Sequence, residues 1–172
     1  MTKQFKNGNA YLVIALVMMG ILFYSSSQTY EQQSTIPLLE KILSKEPFKE
    51  AFSKVSFMYG GSPVSIEASV YFKFVEVFIR KGAHFGTYFI LGGSFFLGIN
   101  PRVKHLGISF LFAWLSATGY AALDEFHQML TGGRSPLFED VVLDSTGAFF
   151  ACLILSGTYL YLNRRKGSKK KG

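Results

Sequence analysis

The segment from Leu123 to Asp140 gathers charges of both signs between two long apolar runs. It reads LDEFHQMLTGGRSPLFED and places the adjacent carboxylates Asp124 and Glu125 ahead of Arg134. Burial can keep one of two neighbouring carboxyl groups protonated, which suits it to general acid or base catalysis. An arginine provides a planar fork for a phosphate or an oxyanion. The segment is therefore a candidate for proton transfer, anion binding or both.

A second polar group precedes it in the sequence RKGAHFGTYFILG. Lys81, His84 and Tyr88 stand at i, i+3 and i+7, which places them on one face of a helix. In a catalytic interpretation, Glu125 is the general acid or base, His84 is its partner, and Lys81 joins Arg134 in holding an anionic group. No HExxH, P-loop or Ser-His-Asp pattern selects one reaction.

Further polar residues extend the same layer. Gln128 shares a helix face with Asp124 and with Glu125, at spacings of four and three residues. Asp140 lies where a following helix begins, and Asp144 lies one turn deeper. Because ionisable groups within a membrane span are costly, they face the interior of a bundle and pair there. The residues that we expect to bind a substrate or a lipid headgroup are Lys81, Tyr88, Gln128, Arg134, Asp140 and Asp144.

Apolar runs supply the elements that would position this chemistry. The 172-residue chain is 49% hydrophobic, and four of its runs lack charge over roughly the 20 residues that cross a bilayer as a helix. The sequence predicts an all-α, multi-pass membrane protein with four transmembrane helices. They cover about residues 10–28, 81–100, 105–128 and 137–163, with an extracytoplasmic segment at 29–80 and a cytoplasmic tail at 164–172, in one domain of 1–172.

The charge distribution predicts the orientation. Of 18 Lys and Arg, ten fall on the side of the two termini, and all 11 acidic residues fall on the other side. The positive-inside rule then places both termini in the cytoplasm. The tail RRKGSKKKG suits anionic lipid headgroups. Nucleic-acid binding is not expected, since no groove-reading pattern accompanies these charges.

The extracytoplasmic segment combines apolar and charged residues. The stretch IPLLEKILSKEPFKEAFSKVSFM predicts two short amphipathic helices that lie on the membrane or cap the bundle. A turn is predicted at YGGSP, followed by one continuous helix over IEASVYFKFVEVFIRKGAHFGTYFILGG. Small residues at four-residue spacing predict close helix packing. They are Gly82 and Gly86, then Ala113, Ala117 and Ala121, then Gly147 and Ala151.

The lone cysteine, Cys152, excludes an intrachain disulfide and a cysteine-based zinc cluster, and we expect it to be a small buried hydrophobe. Other metal ligands would have to come from His84, Asp124, Glu125 and Asp140. Because two cations stand close by and would repel a metal ion, we expect no metal and no cofactor.

Together, these motifs resemble the VanZ-like membrane proteins, which are named for a low-level teicoplanin resistance determinant. The family pattern is a Lys-x-x-His-Phe-x-x-Tyr helix, then Asp-Glu-x-x-Gln, Gly-Arg and Asp-Val. It falls on Lys81, His84, Phe85, Tyr88, Asp124, Glu125, Gln128, Gly133, Arg134, Asp140, Val141 and Gly147. FYSSSQ resembles the end of the family's first helix. That likeness predicts that Ser27 and Gln28 lie in the same outer layer. It also indicates that the first helix is retained and is not removed as a signal peptide. Asp144 stands where the family usually has Asn.

The resemblance implies a role in the Gram-positive envelope and in resistance to teicoplanin and other lipoglycopeptides. Its partners would be membrane lipids, a lipid-linked cell-wall precursor or the drug. Three functions stay open: an intramembrane enzyme that hydrolyses or transfers a headgroup, a protein that binds a headgroup or the drug without catalysis, and a structural or accessory membrane protein.

Overall fold

The computed structural model describes residues 7–131 and 136–168, with the side chains of the last helix described as far as residue 165. The described chain is almost entirely helical, with one small hairpin. In chain order, the elements are α1 (Asn9–Ser26), α2 (Ile36–Ile42), α3 (Lys49–Phe52), β1 (Phe57–Tyr59), β2 (Ser62–Val64), α4 (Ile66–Ser69), α5 (Tyr71–Val103), α6 (Leu106–Thr131) and α7 (Phe138–Ser168).

The helices α1, α5, α6 and α7 are each long and apolar enough to cross a membrane. The predicted all-α class with four spanning helices is therefore confirmed. At 33 residues, α5 extends about 50 Å, against a hydrocarbon core of about 30 Å. It begins at Tyr71, ten residues before the predicted start of the second span. The α5 helix packs against the other three long helices, and α6 also packs against α1 and α7.

Small residues line the helix contacts, as membrane helices require when hydrophobicity gives no net attraction between them. Ala113, Ala117 and Ala121 on α6 are all buried, as predicted. On α7, Ala151 is buried beside Cys152, whose side chain is completely buried with Sγ 3.6 Å from the carbonyl oxygen of Gly92. The prediction for the cysteine as a small core residue is confirmed.

The glycine contacts differ from the prediction for α5. A Cβ on Gly82 or Gly86 would meet nothing within 4 Å, so the predicted packing at this pair is wrong. The close contacts lie at Gly92, where a Cβ would stand 2.7 Å from the Cα of Ala148, and at Gly147. There a Cβ would stand 2.5 Å from the carbonyl oxygen of Phe85. The α5–α7 contact therefore depends on these two glycines.

Short elements fill the connection between α1 and α5. The predicted helices are present as α2 and α3, and the predicted turn is part of the antiparallel hairpin β1–β2. Gly60 and Gly61 both have positive φ, as a two-residue hairpin turn of the primed type requires. The continuous helix predicted from residue 66 is wrong, because Val70, with φ 64°, separates α4 from α5.

Candidate functional site

A cavity of about 280 Å³ lies at the end of the bundle where α5 begins and α6 ends. Side chains from α5, α6 and α7, and one from the connection after α1, line it together. Cations and carboxylates both line it, so the cavity has mixed charge. The lining residues are Tyr30, Glu76, Val77, Arg80, Lys81, His84, Glu125, Gln128, Leu137 and Asp140.

Lys81 and Asp140 form an ion pair across the cavity, between α5 and the first turn of α7. Asp140 also accepts a hydrogen bond of 2.5 Å from the hydroxyl of Tyr59 on β1. Burial, and then this bond to a carboxylate, raise the pKa of Tyr59 above its usual range, so the hydroxyl remains a donor. Among the described residues, Lys81 forms no ion pair with Asp124 or Glu125.

His84 pairs with Asp144 rather than with Glu125. Nδ1 of His84 and Oδ2 of Asp144 share a hydrogen bond at 3.2 Å. Glu125 instead accepts a hydrogen bond of 2.8 Å from the backbone N–H of Leu137, just before α7. Glu125 and Nδ1 of His84 therefore have separate partners, and the predicted cooperation of Glu125 with His84 stays a prediction.

Below the cavity lies a buried polar layer that joins α5, α6 and α7. Gln128 Nε2 donates to Oδ2 of Asp124 at 3.3 Å. Tyr88 is completely buried, and Asp124 and Asp144 are nearly so. Within residues 7–131 and 136–168, Tyr88 Oη, Asp124 Oδ1 and Asp144 Oδ1 have no hydrogen-bond partner. Buried polar groups of this kind usually have a partner, so the layer has unused hydrogen-bonding capacity within the described residues.

The predicted residues after α1 do not reach the cavity. Ser27 is exposed, and its hydroxyl donates to the carbonyl of Phe23 at 2.8 Å. Gln28 is partly buried but is not part of the cavity lining. The preceding Ser26 is the buried one, and it shares a 2.7 Å hydrogen bond with His127. Arg134, predicted as an anion-binding residue, lies outside the described residues.

Sequence reasoning missed the upper wall of the cavity. Glu76 on α5 is 1% exposed and accepts hydrogen bonds from the Tyr30 hydroxyl at 2.8 Å and from the backbone N–H of Thr35 at 2.5 Å. Arg80 Nη2 donates to Gln33 Oε1 at 2.8 Å. Glu76 and Arg80 are four residues apart, so extending the polar face of Lys81 and His84 by one turn was the signal for them.

The carboxylates do not form a metal centre by themselves. In the part of the chain that the structure describes, no group of three or more His, Cys, Asp or Glu side chains is arranged to hold a metal ion. Asp140 is engaged by Lys81, and Asp144 by His84.

The VanZ/LLP1 family model matches residues 11–161, which include α5 and α6 completely, most of α1 and α7, and every residue that lines the cavity. The chain belongs to the VanZ/LLP1 family. No curated protein and no solved structure matches the chain. With four spanning helices and this membership, the protein is a multi-pass membrane protein.

The residues that carry the VanZ-like pattern have different positions in the site. Lys81, His84, Glu125 and Gln128 line the cavity, together with Asp140. The pattern residues Tyr88 and Asp124 lie in the buried layer beneath them. Asp144, which stands where the family usually has Asn, holds His84 by its second carboxylate oxygen. Here a carboxyl group is therefore the partner of the histidine.

Proposed function

We propose that this VanZ/LLP1 protein takes the polar head of an envelope amphiphile into its cavity, at the outer leaflet of the plasma membrane. The amphiphile is a phospholipid, a polyprenyl phosphate or a lipid-linked peptidoglycan precursor. By acting on that headgroup the protein supports resistance to teicoplanin and related lipoglycopeptides. One observation carries the proposal: a mixed-charge cavity opens at one end of a bundle of membrane-spanning helices.

The charge distribution supports the outer location. Arg102, in the last turn of α5, and Lys104, between α5 and α6, lie at the end of the bundle opposite the cavity. They belong to the ten basic residues on the side of the two termini, where the sequence places no acidic residue. Cytoplasmic loops carry such an excess of Lys and Arg. Both termini are then cytoplasmic, and the connection between α1 and α5 is extracytoplasmic.

The contacts favour recognition of the headgroup. Lys81 and Asp140 neutralise each other, and Glu125 is held by a backbone N–H, so each charged group has a fixed position before a ligand arrives. Fixed donors and acceptors of both signs fit a zwitterionic or hydroxylated phosphate headgroup. Binding to such a preorganised site does not require ordering of side chains at the moment of contact.

Catalysis is the second candidate function, and the adjacent buried carboxylates Asp124 and Glu125 favour it. Glu125 lines the cavity, so its carboxylate can reach a bound headgroup. In this version Glu125 acts as general base or acid with His84 as its partner, and Asp144 orients the imidazole through Nδ1. A structural or accessory role is the third candidate, in which the same polar contacts only lock the helices together.

The test is teicoplanin susceptibility of a sensitive Gram-positive host that expresses the wild type, Glu125→Gln, Glu139→Gln or no protein. Membrane levels are matched by blotting. Glu139 is the control, because its carboxylate is on the same part of α7 but exposed. We expect the wild type and Glu139→Gln to raise the inhibitory concentration equally.

The behaviour of Glu125→Gln then separates the candidates. Glutamine keeps the size of the side chain but cannot transfer a proton, so a catalyst loses nearly all protection and a binding protein loses a fraction. Protection by Glu125→Gln equal to the wild type refutes an active role for the cavity. No protection by the wild type refutes the link to teicoplanin. Low accumulation of Glu125→Gln alone indicates the structural role.

A further inference from the structure

We infer that Arg80 is the group that binds the anionic part of the headgroup, and that this part is a phosphate on an amphiphile. The inference rests on the proposed function, since it assumes that the cavity takes a headgroup. Neither the VanZ-like motif nor the chemistry expected from the sequence gives Arg80 a role. The geometry of the cavity does, through three features of its cations and carboxylates.

The first feature is that Lys81 is already neutralised. Its ammonium pairs with Asp140 and also lies 4.7 Å from the centre of the Tyr59 ring. To bind an anion, Lys81 would have to leave a partly buried carboxylate, at a cost similar to what the new contact returns. Lys81 is therefore a poor primary site for a phosphate, although the sequence singled it out.

The second feature is that no carboxylate of the described residues neutralises Arg80. Its Nη2 donates to Gln33 Oε1, and its guanidinium carbon lies 4.7 Å from the centre of the Tyr30 ring. Its Nη1 is buried and has no hydrogen-bond partner among residues 7–131 and 136–168. In the same residues, no carboxylate forms an ion pair with Arg80. A buried guanidinium nitrogen without an acceptor is costly unless a ligand satisfies it.

The third feature explains why the nearest carboxylate does not satisfy Arg80. Glu76 lies one turn before Arg80 on α5, but donors of the segment 30–35 already occupy both of its oxygens. One oxygen accepts from the Tyr30 hydroxyl, and the other accepts from Ser34 and Thr35. Burial, and then the bond to Glu76, raise the pKa of Tyr30, so its hydroxyl keeps donating. Glu76 is thus a positioning residue that fixes the ring beneath Arg80.

A phosphate fits this arrangement better than a carboxylate or a neutral group does. The guanidinium presents parallel N–H donors in a plane that matches two phosphate oxygens, and it keeps its charge at any physiological pH. The cavity of about 280 Å³ has room for roughly nine water volumes, enough for a phosphate with a small substituent. Glu125 on the opposite wall would accept hydrogen bonds from hydroxyl or amine groups of that substituent.

The experiment measures binding of dihexanoyl phosphatidic acid by the purified full chain in detergent micelles, using calorimetry. Dihexanoylglycerol has the same chains without the phosphate. The variants are Arg80→Gln, Arg80→Lys and the control Lys73→Gln. Lys73 lies two turns before Arg80 on α5 and is exposed. Melting temperatures show that each variant is folded, and Arg80→Lys serves where Arg80→Gln is unstable.

We expect the phosphatidic acid to bind and the glycerol lipid to bind much more weakly. Arg80→Gln should raise Kd roughly 10-fold or more, as loss of a hydrogen bond between charged groups does. The Kd of Arg80→Lys should lie between those of the wild type and Arg80→Gln, because lysine retains the charge but lacks the planar fork of N–H donors. Lys73→Gln should match the wild type. Competition by inorganic phosphate at equal Kd would show that the anion itself, rather than the lipid, is the ligand.

Other results overturn the inference without ambiguity. Equal Kd values for the wild type and Arg80→Gln remove Arg80 from the site but leave a headgroup cavity in place. Equal binding of both lipids shows that the phosphate is not read. Binding of neither lipid refutes Arg80 as a phosphate site. In each case the proposed function is judged separately, by the susceptibility of the host that carries Glu125→Gln.

Discussion

At the scale of residues, Asp140 joins three separate parts of the fold. It accepts a hydrogen bond from Tyr59 on the hairpin and forms an ion pair with Lys81 on α5. Asp140 itself lies in the first turn of α7. The side chains of Lys81 and Asp140 are 27% and 17% exposed, so water screens this pair less than a surface pair. The pair therefore holds the hairpin and two helices around the cavity as well as setting its charge.

We predict that the Lys81–Asp140 pair shows strong coupling in a double-mutant cycle. Lys81→Gln, Asp140→Asn and the double variant should give an interaction energy of about 1 kcal/mol or more, because each single change leaves a partly buried charge without its partner. The measurement is the free energy of unfolding in detergent. The control is the exposed pair of Lys49 and Glu46, with about 0.5 kcal/mol or less. Equal coupling in both cycles would contradict the prediction.

At the scale of elements, two glycines determine how closely α5 and α7 approach. Gly92 faces the backbone of Ala148, and Gly147 faces the backbone of Phe85. Periodic small residues in the sequence indicate that some helix face packs closely, but they do not say which neighbour that face meets. Gly82 and Gly86 have the expected spacing and face no neighbour, whereas the three alanines of α6 are buried.

We predict opposite effects of alanine at Gly147 and at Gly86. At Gly147 a Cβ would stand 2.5 Å from a backbone oxygen of α5, so Gly147→Ala should lower the free energy of unfolding by about 1–3 kcal/mol. At Gly86 a Cβ meets nothing within 4 Å, so Gly86→Ala should be neutral or stabilising by up to about 1 kcal/mol. Unfolding in detergent measures both. A stable Gly147→Ala variant would mean that α7 shifts readily against α5.

The sequence predicted the spanning helices and much of the cavity for a physical reason. Hydropathy over 20 residues is a strong local signal, and Lys81, His84 and Gln128 stand out because polar groups are costly there. The missed wall depends on Tyr30 and Glu76, which are 46 residues apart and meet only in the folded chain. The strands β1 and β2 have three residues each, too few to show a period.

At the scale of the whole molecule, charge and length both divide the two ends of the bundle. The cavity end carries the long connection and the projecting first turns of α5, and the other end carries Arg102 and Lys104. Because α5 is about 50 Å long, it reaches well beyond the hydrocarbon layer. Under the proposed function, the cavity lies at the level of lipid headgroups, where an amphiphile would enter without leaving the membrane.

We predict that the connection between α1 and α5 is labelled from outside intact cells. The lone cysteine is completely buried, so Cys152→Ala provides a background without reactive thiols. Ser53→Cys on this connection should react with a membrane-impermeant maleimide, and Val103→Cys at the other end of α5 should react only after permeabilisation. Both positions are exposed. Labelling of Val103→Cys in intact cells would reverse the proposed orientation.

The hydrogen bonds at Glu76 also order events in time. Residues 30–35 are synthesised before Glu76, which accepts their hydrogen bonds in the folded chain. During synthesis, these donors therefore have no acceptor until residue 76 has been added. They can settle only after α5 has begun to emerge and its first turns have folded. A nascent chain that stops before residue 76 should thus expose this stretch to proteases, and one that extends through α5 should protect it.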